Sequence, residues 1–266
     1  MSRIVDFHNH LMPGVDDGAQ SIEDSCAALS AFAAEGVTTV ITTPHFDGSI
    51  THEPDAMAER LRELDAAWAE LTAHALEHHP DMTVLRGVEL MLDTPQPILQ
   101  DARLRLAGSS FVLMEFPFMS VPPRSAAVIS EIRNAGVLPI IAHPERYSGL
   151  PADLAIADSW RRAGAYLQVN GASLIGRYGQ QARRYAWSLV ERGWADFMGS
   201  DYHARGPVNV AQYRKALEEF ADPEHAQLLL EVNPARLLAG ERPVPLPQVK
   251  LKRSLWGRMS EMLRSI

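Results

Sequence analysis

Residues 4–10 read Ile4-Val5-Asp6-Phe7-His8-Asn9-His10, an apolar segment that ends in a His-x-His pair. The apolar residues before the pair predict a buried β-strand over Ile4 to His10. Residues i and i+2 of a strand face the same side, so both imidazoles are expected to point together and to share or bridge metal ions. This strand is the first of a repeating series, and that series decides the fold.

A short apolar strand followed by a longer helix recurs about seven times. The strands are predicted at Ile4 to His10, Thr38 to His45, Thr83 to Leu90, Phe111 to Pro117, Leu138 to His143, Tyr166 to Asn170 and Asp196 to His203. Helices are predicted at Ser21 to Glu35, Pro54 to His79, Ser125 to Ala135, Asp153 to Ala163 and Gln180 to Arg192. Four of these helices are followed by a glycine where a left-handed residue is expected, namely Gly36, Gly136, Gly164 and Gly193. The alternation predicts a parallel α/β array, either a barrel or an open sheet.

The composition excludes several classes of protein. With 266 residues the chain fits one large α/β domain. A formal net charge of −8 argues against nonspecific nucleic-acid binding, which needs a basic surface. The one cysteine, Cys26, excludes a disulfide scaffold and a zinc site of several thiolates. No signal pattern and no long uncharged run is present, so we expect a soluble, cytoplasmic protein.

The composition of the sequence changes near residue 241. Pro243, Pro245 and Pro247 predict a linker, and a basic, amphipathic segment follows from Lys250 to Ile266. We therefore divide the chain into a main domain at 1–240 and a linker with a C-terminal tail at 241–266. The tail is expected to pack on its own domain or on a neighbouring subunit, or else to dock on a membrane surface or a partner.

Histidines and carboxylates collect at the ends of the predicted strands and in the first loop after them. In β/α barrels this end of the strands forms the active-site face. The metal-ligand candidates are His8, His10, Asp17, His45, Glu89, Glu115, His143, Asp201 and His203. Each alone could be a structural residue, but burying so many ionisable groups without a metal would be costly. The set therefore predicts a metal site.

The types of ligand narrow the choice of metal. Imidazoles and carboxylates without thiolates suit Mn²⁺, Fe²⁺ or Zn²⁺ better than Ca²⁺ or Mg²⁺. Nine candidates exceed what one ion needs, so two or three ions are expected. Adjacent divalent ions activate water and stabilise the oxygens of a displacement at phosphorus, so hydrolysis of a phosphate ester is the natural reaction.

Several motifs in the chain match one known family. They are Asp6-Phe7-His8-Asn9-His10, Pro13-Gly14-Val15-Asp16-Asp17-Gly18, Thr42-Thr43-Pro44-His45, Gly87-Val88-Glu89, Met114-Glu115-Phe116-Pro117, His143-Pro144-Glu145-Arg146-Tyr147 and Gly199-Ser200-Asp201-Tyr202-His203. Together they resemble the polymerase-and-histidinol-phosphatase (PHP) superfamily. More closely, they resemble the CpsB/CapC-type bacterial protein-tyrosine phosphatases linked to capsule and exopolysaccharide synthesis. The resemblance runs from residue 4 to about residue 240.

The resemblance implies a distorted (β/α)7 barrel of the PHP type and a manganese-favouring site with three ions. By position, a first ion would bind His8, His10, Glu89 and Asp201, and a second Glu89, Glu115 and His143. A third would bind Asp17, His45 and His203. Arg146 matches a position that contacts phosphate, and Arg205 is a second candidate for that role. The implied substrate is a tyrosine-phosphorylated protein, a bacterial tyrosine kinase, cleaved by direct attack of a metal-bound hydroxide.

Other functions remain open at this stage. A small-molecule phosphatase of the histidinol-phosphate type would use the same metal site, and a metal-binding regulatory module would keep the fold without catalysis. The sequence disfavours a cysteine phosphatase, because a C-x5-R loop starting at Cys26 would need arginine where Phe32 stands.

Overall fold

The computed structural model describes residues 3–150 and 152–252. Its strands are β1 (Ile4–Asn9), β2 (Val37–Thr42), β3 (His45–Asp47), β4 (Thr83–Arg86), β5 (Glu89–Met91), β6 (Phe111–Glu115), β7 (Leu138–Ala142), β8 (Tyr166–Asn170) and β9 (Phe197–Gly199). They form a three-stranded sheet in the order β1-β2-β4 and a six-stranded sheet in the order β3-β5-β6-β7-β8-β9. Every pairing between neighbouring strands is parallel.

Helices connect most of these strands. They are α1 (Ile22–Ala34), α2 (Pro54–His78), α3 (Ser125–Asn134), α4 (Ala155–Arg162), α5 (Gly171–Leu174), α6 (Gly179–Glu191), α7 (Val210–Phe220), α8 (Pro223–Gln227) and α9 (Asn233–Leu238), with a π-helical turn over Leu228–Val232. Short 3₁₀ turns cover Gly48–His52, Ala102–Leu104, Leu106–Gly108, Pro117–Met119 and Pro144–Arg146. The predicted helices agree with α1, α2, α3, α4 and α6 to within two residues at each end.

The four glycines that follow predicted helices confirm how those helices end. Gly36, Gly136, Gly164 and Gly193 have φ angles of +82°, +87°, +97° and +67°. Side chains with a Cβ atom rarely adopt this left-handed conformation, so glycine ends each helix at low energetic cost. The next strand begins one to four residues after each glycine.

Two predicted strands each break into two shorter strands. The predicted strand Thr38 to His45 is β2 followed by β3, and the predicted strand Thr83 to Leu90 is β4 followed by β5. Pro44 lies at the first break and has no N–H to donate to a ladder. Gly87 lies at the second, where a Cβ atom would come within 2.9 Å of the Leu106 side chain. Each broken strand therefore leaves the smaller sheet and enters the larger one.

The prediction of an α/β fold with parallel strands is confirmed, but the described residues form two sheets and no closed barrel. The outer strands β1 and β9 do not pair as a ladder, and the backbone bridge between them joins Asn9 to Tyr202, which follows β9. Two backbone hydrogen bonds accompany it, from His10 N to Tyr202 O at 2.9 Å and from Asp201 N to His8 O at 2.7 Å. This contact brings the ends of β1 and β9 together.

Both sheets contribute side chains to one interior cluster. Phe7 of β1 packs edge-on against Phe197 of β9, with ring centroids 5.2 Å apart, and Phe111 of β6 lies next to Phe197. Ile41 of β2 and Ile140 of β7 belong to the same buried cluster. The two sheets therefore share an interior, and a second and larger apolar cluster lies mainly under the helices.

The segment from Glu241 to Lys252 has no helix or strand but packs along the domain. The Asn233 side chain donates to Val244 O at 3.0 Å and accepts from Val244 N at 2.8 Å. Leu246 is buried, and Val249 N donates to Glu191 O at 3.1 Å. The predicted amphipathic tail lies outside the described residues from position 253 onward. Within the described part of the chain, no helix has the length and apolar character needed to cross a bilayer.

Candidate metal centre

The structure brings all nine predicted ligands together in one cluster. His8 lies in β1 and His10 directly follows it, while His45 and Glu89 begin β3 and β5. Their ligand atoms fall into three overlapping groups, each within 4.8 Å: His8, His10, Glu89 and Asp201; His10, Asp17, His45 and His203; and His45, Glu89 and Glu115. His143 lies beside these groups, because its Nε2 contacts Glu89. In the described part of the chain these are the groups of histidine and carboxylate atoms that could hold an ion.

Glu89 occupies the centre of the cluster. Its side chain is fully buried, and its Oε2 lies 3.2 Å from His8 Nε2 and 3.4 Å from His10 Nε2. The same oxygen lies 3.3 Å from His45 Nδ1, and Oε1 lies 3.0 Å from His143 Nε2. One carboxylate thus faces four imidazoles, which is an arrangement suited to bridging ions.

The two oxygens of Asp201 have different surroundings. Oδ1 lies 3.3 Å from His8 Nε2 and 3.5 Å from His10 Nε2, inside the cluster. Oδ2 accepts hydrogen bonds from Arg146 Nη1 and from the Asn170 side chain. The backbone of Asp201 has φ of +53°, a conformation that costs about 1–3 kcal/mol in a residue with a side chain. Such strain, held by the surrounding fold, is characteristic of functional positions.

A more exposed part of the cluster surrounds Asp17. Asp17 Oδ1 lies 3.4 Å from His45 Nε2 and 3.3 Å from His203 Nε2. His10 stacks on His203 with ring centroids 4.0 Å apart. The Asp17 side chain is 62% exposed, so this part of the cluster opens to solvent.

The remaining part contains His143 and Glu115. Glu115 Oε1 lies 3.2 Å from His45 Nδ1, and Glu115 Oε2 lies 4.0 Å from His143 Nε2. His143 has a φ of +33°, which places a second residue of the cluster in the left-handed region. Its location at the end of β7 is the one that the sequence predicts.

The hydrogen bonding of the cluster is a separate indication that these residues could bind divalent ions. Among the described residues, several buried side-chain atoms have no hydrogen-bond partner, and His8 Nε2, His10 Nε2, His45 Nδ1 and Glu89 Oε2 are among them. Unpartnered buried polar atoms are costly and rare. Here they face one another across the cluster, and cations held by the overlapping ligand groups would satisfy them. Five imidazoles and four carboxylates are the donor set of Mn²⁺, Fe²⁺ or Zn²⁺.

Charge coupling shifts the pKa values inside the cluster. Burial lowers the pKa of His8, but Glu89 and Asp201 outweigh it and raise the pKa to about 9. Burial likewise opposes a charged His10, yet Asp16 and Asp201 hold its pKa well above the ordinary value. Burial raises the pKa of Glu89, whereas His8 and His10 bring it well below the ordinary range. Without a metal, the protonated forms of His8 and His10 and the ionised form of Glu89 are therefore favoured.

Two supporting residues were missed by the sequence analysis. Asp16 Oδ2 lies 2.7 Å from His10 Nδ1 and accepts from His45 N at 3.1 Å. Its pKa is lowered to about 2, since His10 outweighs the effect of burial, so the carboxylate only accepts and His10 Nδ1 carries the proton. Gln168 Oε1 lies 2.9 Å from His8 Nδ1 and accepts from His143 N.

These partners fix the ring orientation of both histidines. With Nδ1 occupied on each ring, His8 and His10 present Nε2 to the cluster, as is usual for metal-binding histidines. Asp16 could have been suspected because it stands beside Asp17 in the same loop. Gln168 belongs to the segment Gln168-Val169-Asn170, which also matches the family, but its support of His8, 160 residues away, depends on the register of β8.

The two predicted phosphate-binding arginines lie at the rim of the cluster. Arg146 contacts Asp201 and lies over the ring of Tyr178, with its guanidinium carbon 4.2 Å from the ring centroid. Arg205 is exposed, and its Nη2 donates to Asp17 O at 2.7 Å. Both therefore stand next to a candidate ligand, on the side where the cluster opens.

The fold and the cluster define a parallel α/β protein with a candidate metal site of histidines and carboxylates. The chain belongs to the family described as capsular polysaccharide synthesis, CpsB/CapC, whose model matches residues 4–239. The resemblance noted in the sequence is thereby confirmed.

Individual relatives agree with this assignment. The chain is 30% identical over 203 residues to the tyrosine-protein phosphatase YwqE of Bacillus subtilis (strain 168), covering 75% of this chain and 77% of the relative. It is 24% identical over 245 residues to the tyrosine-protein phosphatase CpsB of Streptococcus pneumoniae, covering 88% and 98%.

Solved structures of related proteins agree with the family assignment. One chain from the crystal structures of YwqE from Bacillus subtilis and CpsB from Streptococcus pneumoniae, which are described as metal-dependent tyrosine phosphatases, matches with a TM-score of 0.76 and 28% identity. The match covers 94% of this chain and 100% of that chain. The phosphotriesterase homology protein of Escherichia coli matches with a TM-score of 0.51 and 14% identity, covering 89% and 99%, a likeness of fold alone.

Proposed function

We propose that this chain is a metal-dependent phosphatase that removes phosphate from phosphotyrosine in proteins. The observation that carries the proposal is the buried group of unpartnered imidazole and carboxylate atoms around Glu89, open to solvent at Asp17. Family membership and the phosphatase names of the relatives support the same reaction. The proposed ligands are the nine residues predicted from the sequence, and the proposed metal is Mn²⁺ in two or three ions, with Fe²⁺ or Zn²⁺ as alternatives.

The protein's own residues suit a displacement at phosphorus. Divalent ions in such a site supply an activated water and neutralise charge on the phosphoryl oxygens. Arg146 and Arg205 add positive charge at the rim, where they would bind the phosphate and stabilise the transition state. The Asn170 side chain and Arg146 hold Oδ2 of Asp201, which leaves Oδ1 directed into the cluster.

We also propose that the two sheets are parts of one distorted seven-segment barrel and that the catalytic domain ends near residue 240. The shared interior around Phe7 and Phe197 and the bridge between Asn9 and Tyr202 support the barrel. We further propose that the physiological substrate is a tyrosine kinase of capsule or exopolysaccharide synthesis in the cytoplasm; the family's description, capsular polysaccharide synthesis, supports the capsule context.

Activity assays on the full chain test the proposed function. Protein loaded separately with Mn²⁺, Fe²⁺ or Zn²⁺ would be offered a phosphotyrosine peptide and histidinol phosphate, with and without a chelator. We expect turnover of the peptide that is lost with the chelator and restored by metal. Turnover of histidinol phosphate alone would indicate a small-molecule phosphatase instead. Tight metal binding without any turnover would indicate a regulatory module.

A further inference from the structure

A cleft with a volume of about 610 Å³ opens directly beside the metal cluster. Asp201 and His203 line the side of the cleft that faces the cluster. Its other walls come from the loop between α5 and α6, which contains Arg177 and Tyr178, and from the segment after β9. Arg146 also lines it, so the cleft continues outward from the proposed phosphate site.

Positive charge is concentrated on this side of the cluster. The cleft is lined by three arginines, Arg146, Arg177 and Arg205, against two aspartates, Asp17 and Asp201, although the whole chain carries a formal net charge of −8. A second cleft, which shares Asp17 with the first, is lined by Asp16, Asp17, Asp47, His45 and Arg60. A peptide lying across the cluster would therefore meet an excess of arginine on one side and an excess of aspartate on the other.

Arg177 is exposed but held in place. Its Nη2 donates to Asn209 Oδ1 at 3.2 Å, and Asn209 is itself buried and donates to Pro207 O at 2.6 Å. A guanidinium has five N–H donors, so one bond to Asn209 leaves capacity for a bidentate bond to a carboxylate. Anchoring reduces the side-chain entropy that such a bond would cost.

Tyr178 supplies an aromatic surface in the same cleft. Its side chain is 42% exposed, and Arg146 covers one face of the ring at 4.2 Å. Aromatic pairs in offset or edge-on contact add to the energy gained by burial. The exposed part of the Tyr178 ring is therefore a suitable contact for the ring of a phosphotyrosine whose phosphate lies at Arg146.

We propose that this cleft binds the peptide that carries the phosphotyrosine, with Tyr178 against the substrate ring and Arg177 paired with an acidic side chain next to it. The inference rests on the proposed phosphotyrosine phosphatase function and adds a preference for acidic flanking residues. Arg177 is then a specificity residue, because it contacts the substrate away from the reacting phosphate.

The test uses two phosphotyrosine peptides that differ only in carrying aspartates or asparagines next to the phosphotyrosine. With the full metal-loaded chain, we expect kcat/KM to be about three- to tenfold higher for the acidic peptide, mainly through KM. Arg177→Ala should bring the ratio near one, and Arg177→Glu should reverse it. Higher ionic strength should reduce the wild-type ratio, because salt screens exposed pairs.

Arg162→Ala is the matched control, since Arg162 is 80% exposed on α4 and pairs with Asp158. This variant should keep the wild-type ratio, and circular dichroism should confirm that the Arg177 variants are folded. Equal kcat/KM for both peptides in the wild type, or an unchanged ratio in folded Arg177→Glu, would overturn the acidic preference while leaving the phosphatase function intact. If the wild type cleaves neither peptide, the proposed function itself fails and the cleft assignment fails with it.

Discussion

Glu89 and His143 lie 54 residues apart in the sequence, yet their side chains meet at 3.0 Å in the centre of the ligand cluster. The other Glu89 oxygen faces His8, His10 and His45 at 3.2–3.4 Å. Two of the three overlapping ligand groups contain Glu89. A single side chain thus connects the deeply buried part of the cluster to the part that opens toward solvent.

Replacing Glu89 by glutamine should therefore remove activity and lower the number of bound ions. The amide keeps the size of the side chain but loses the charge that opposes the surrounding imidazoles. We expect phosphatase activity to fall by at least about 100-fold, because replacing a metal ligand should reduce activity more than replacing a residue that only orients a ligand. Activity assays and metal analysis after gel filtration measure both quantities.

Glu77→Gln, at an exposed position on α2, is the control and should behave like the wild type. A Glu89→Gln protein that keeps its full complement of ions would contradict the bridging role. Circular dichroism would show whether the variant remains folded, as we expect from the matched shape.

Asp16→Asn tests the support of His10. The variant replaces the carboxylate that accepts from His10 Nδ1 and from His45 N by an amide. We expect the affinity for Mn²⁺ to fall by about 10- to 100-fold, as for other residues that orient metal-binding histidines. Calorimetric titration of the chelator-treated protein measures the change. An affinity equal to that of the wild type would mean that Asp16 does not determine the ring orientation.

Metal binding should strengthen as pH rises. In the metal-free protein the pKa of His8 is raised to about 9 and that of His10 is well above its ordinary value. Both imidazoles must lose protons before they can bind an ion, so protons compete with the metal below about pH 9. Calorimetry at pH 6.5 and 8.5, in two buffers of different ionisation enthalpy, should detect tighter binding and fewer released protons at the higher pH. Equal affinity at both values would contradict the protonated state.

The sequence predicted those parts of the molecule that depend on local pattern. Alternating strands and helices indicated the parallel fold, and the position of His8, Glu89 or Asp201 at a strand end indicated which side chains converge. Parallel strands carry their carboxyl ends to one edge, which accounts for His8 and His143, whereas Glu89 reaches the cluster as the first residue of β5 after the break at Gly87.

Other features depend on tertiary placement that local pattern does not encode. The change of sheet at Pro44 and Gly87 results from a missing donor and from a close approach to Leu106. Gln168 supports His8 only because β8 lies between β7 and β9. The different surroundings of the two Asp201 oxygens likewise depend on Arg146, which lies in a different loop and contacts Oδ2.

Cys26→Ser should leave activity unchanged. Cys26 lies in α1 and does not belong to any of the ligand groups. Burial and the nearby Glu23 raise its pKa, which makes the reactive thiolate scarcer. The wild type and the variant should show the same kcat/KM on a phosphotyrosine peptide with saturating metal. An inactive but folded Cys26→Ser protein would contradict a mechanism without a cysteine nucleophile.

Asp196→Asn should change how stability depends on pH. Asp196 lies just before β9, where its Oδ2 accepts from Leu167 N at 2.9 Å, and burial raises its pKa to about 7. The folded protein keeps a proton that the unfolded chain loses near pH 4, so the contribution of Asp196 to the free energy of unfolding falls as pH rises from about 4 to 7. Asparagine cannot titrate but can still accept from Leu167 N. Between pH 5 and 8 the free energy of unfolding of the variant should therefore fall less than that of the wild type, by on the order of 1–3 kcal/mol.

Urea denaturation of both proteins at pH 5 and 8 measures this difference. Metal binding depends on pH in both proteins, so its contribution cancels when the variant is compared with the wild type. Asp81→Asn, at an exposed position after α2, is the control and should follow the wild type. If Asp196→Asn and the wild type lose the same free energy of unfolding over this range, Asp196 is ionised in the folded protein throughout. Its bond to Leu167 N would then suffice to keep a buried carboxylate charged without a cationic partner in direct contact.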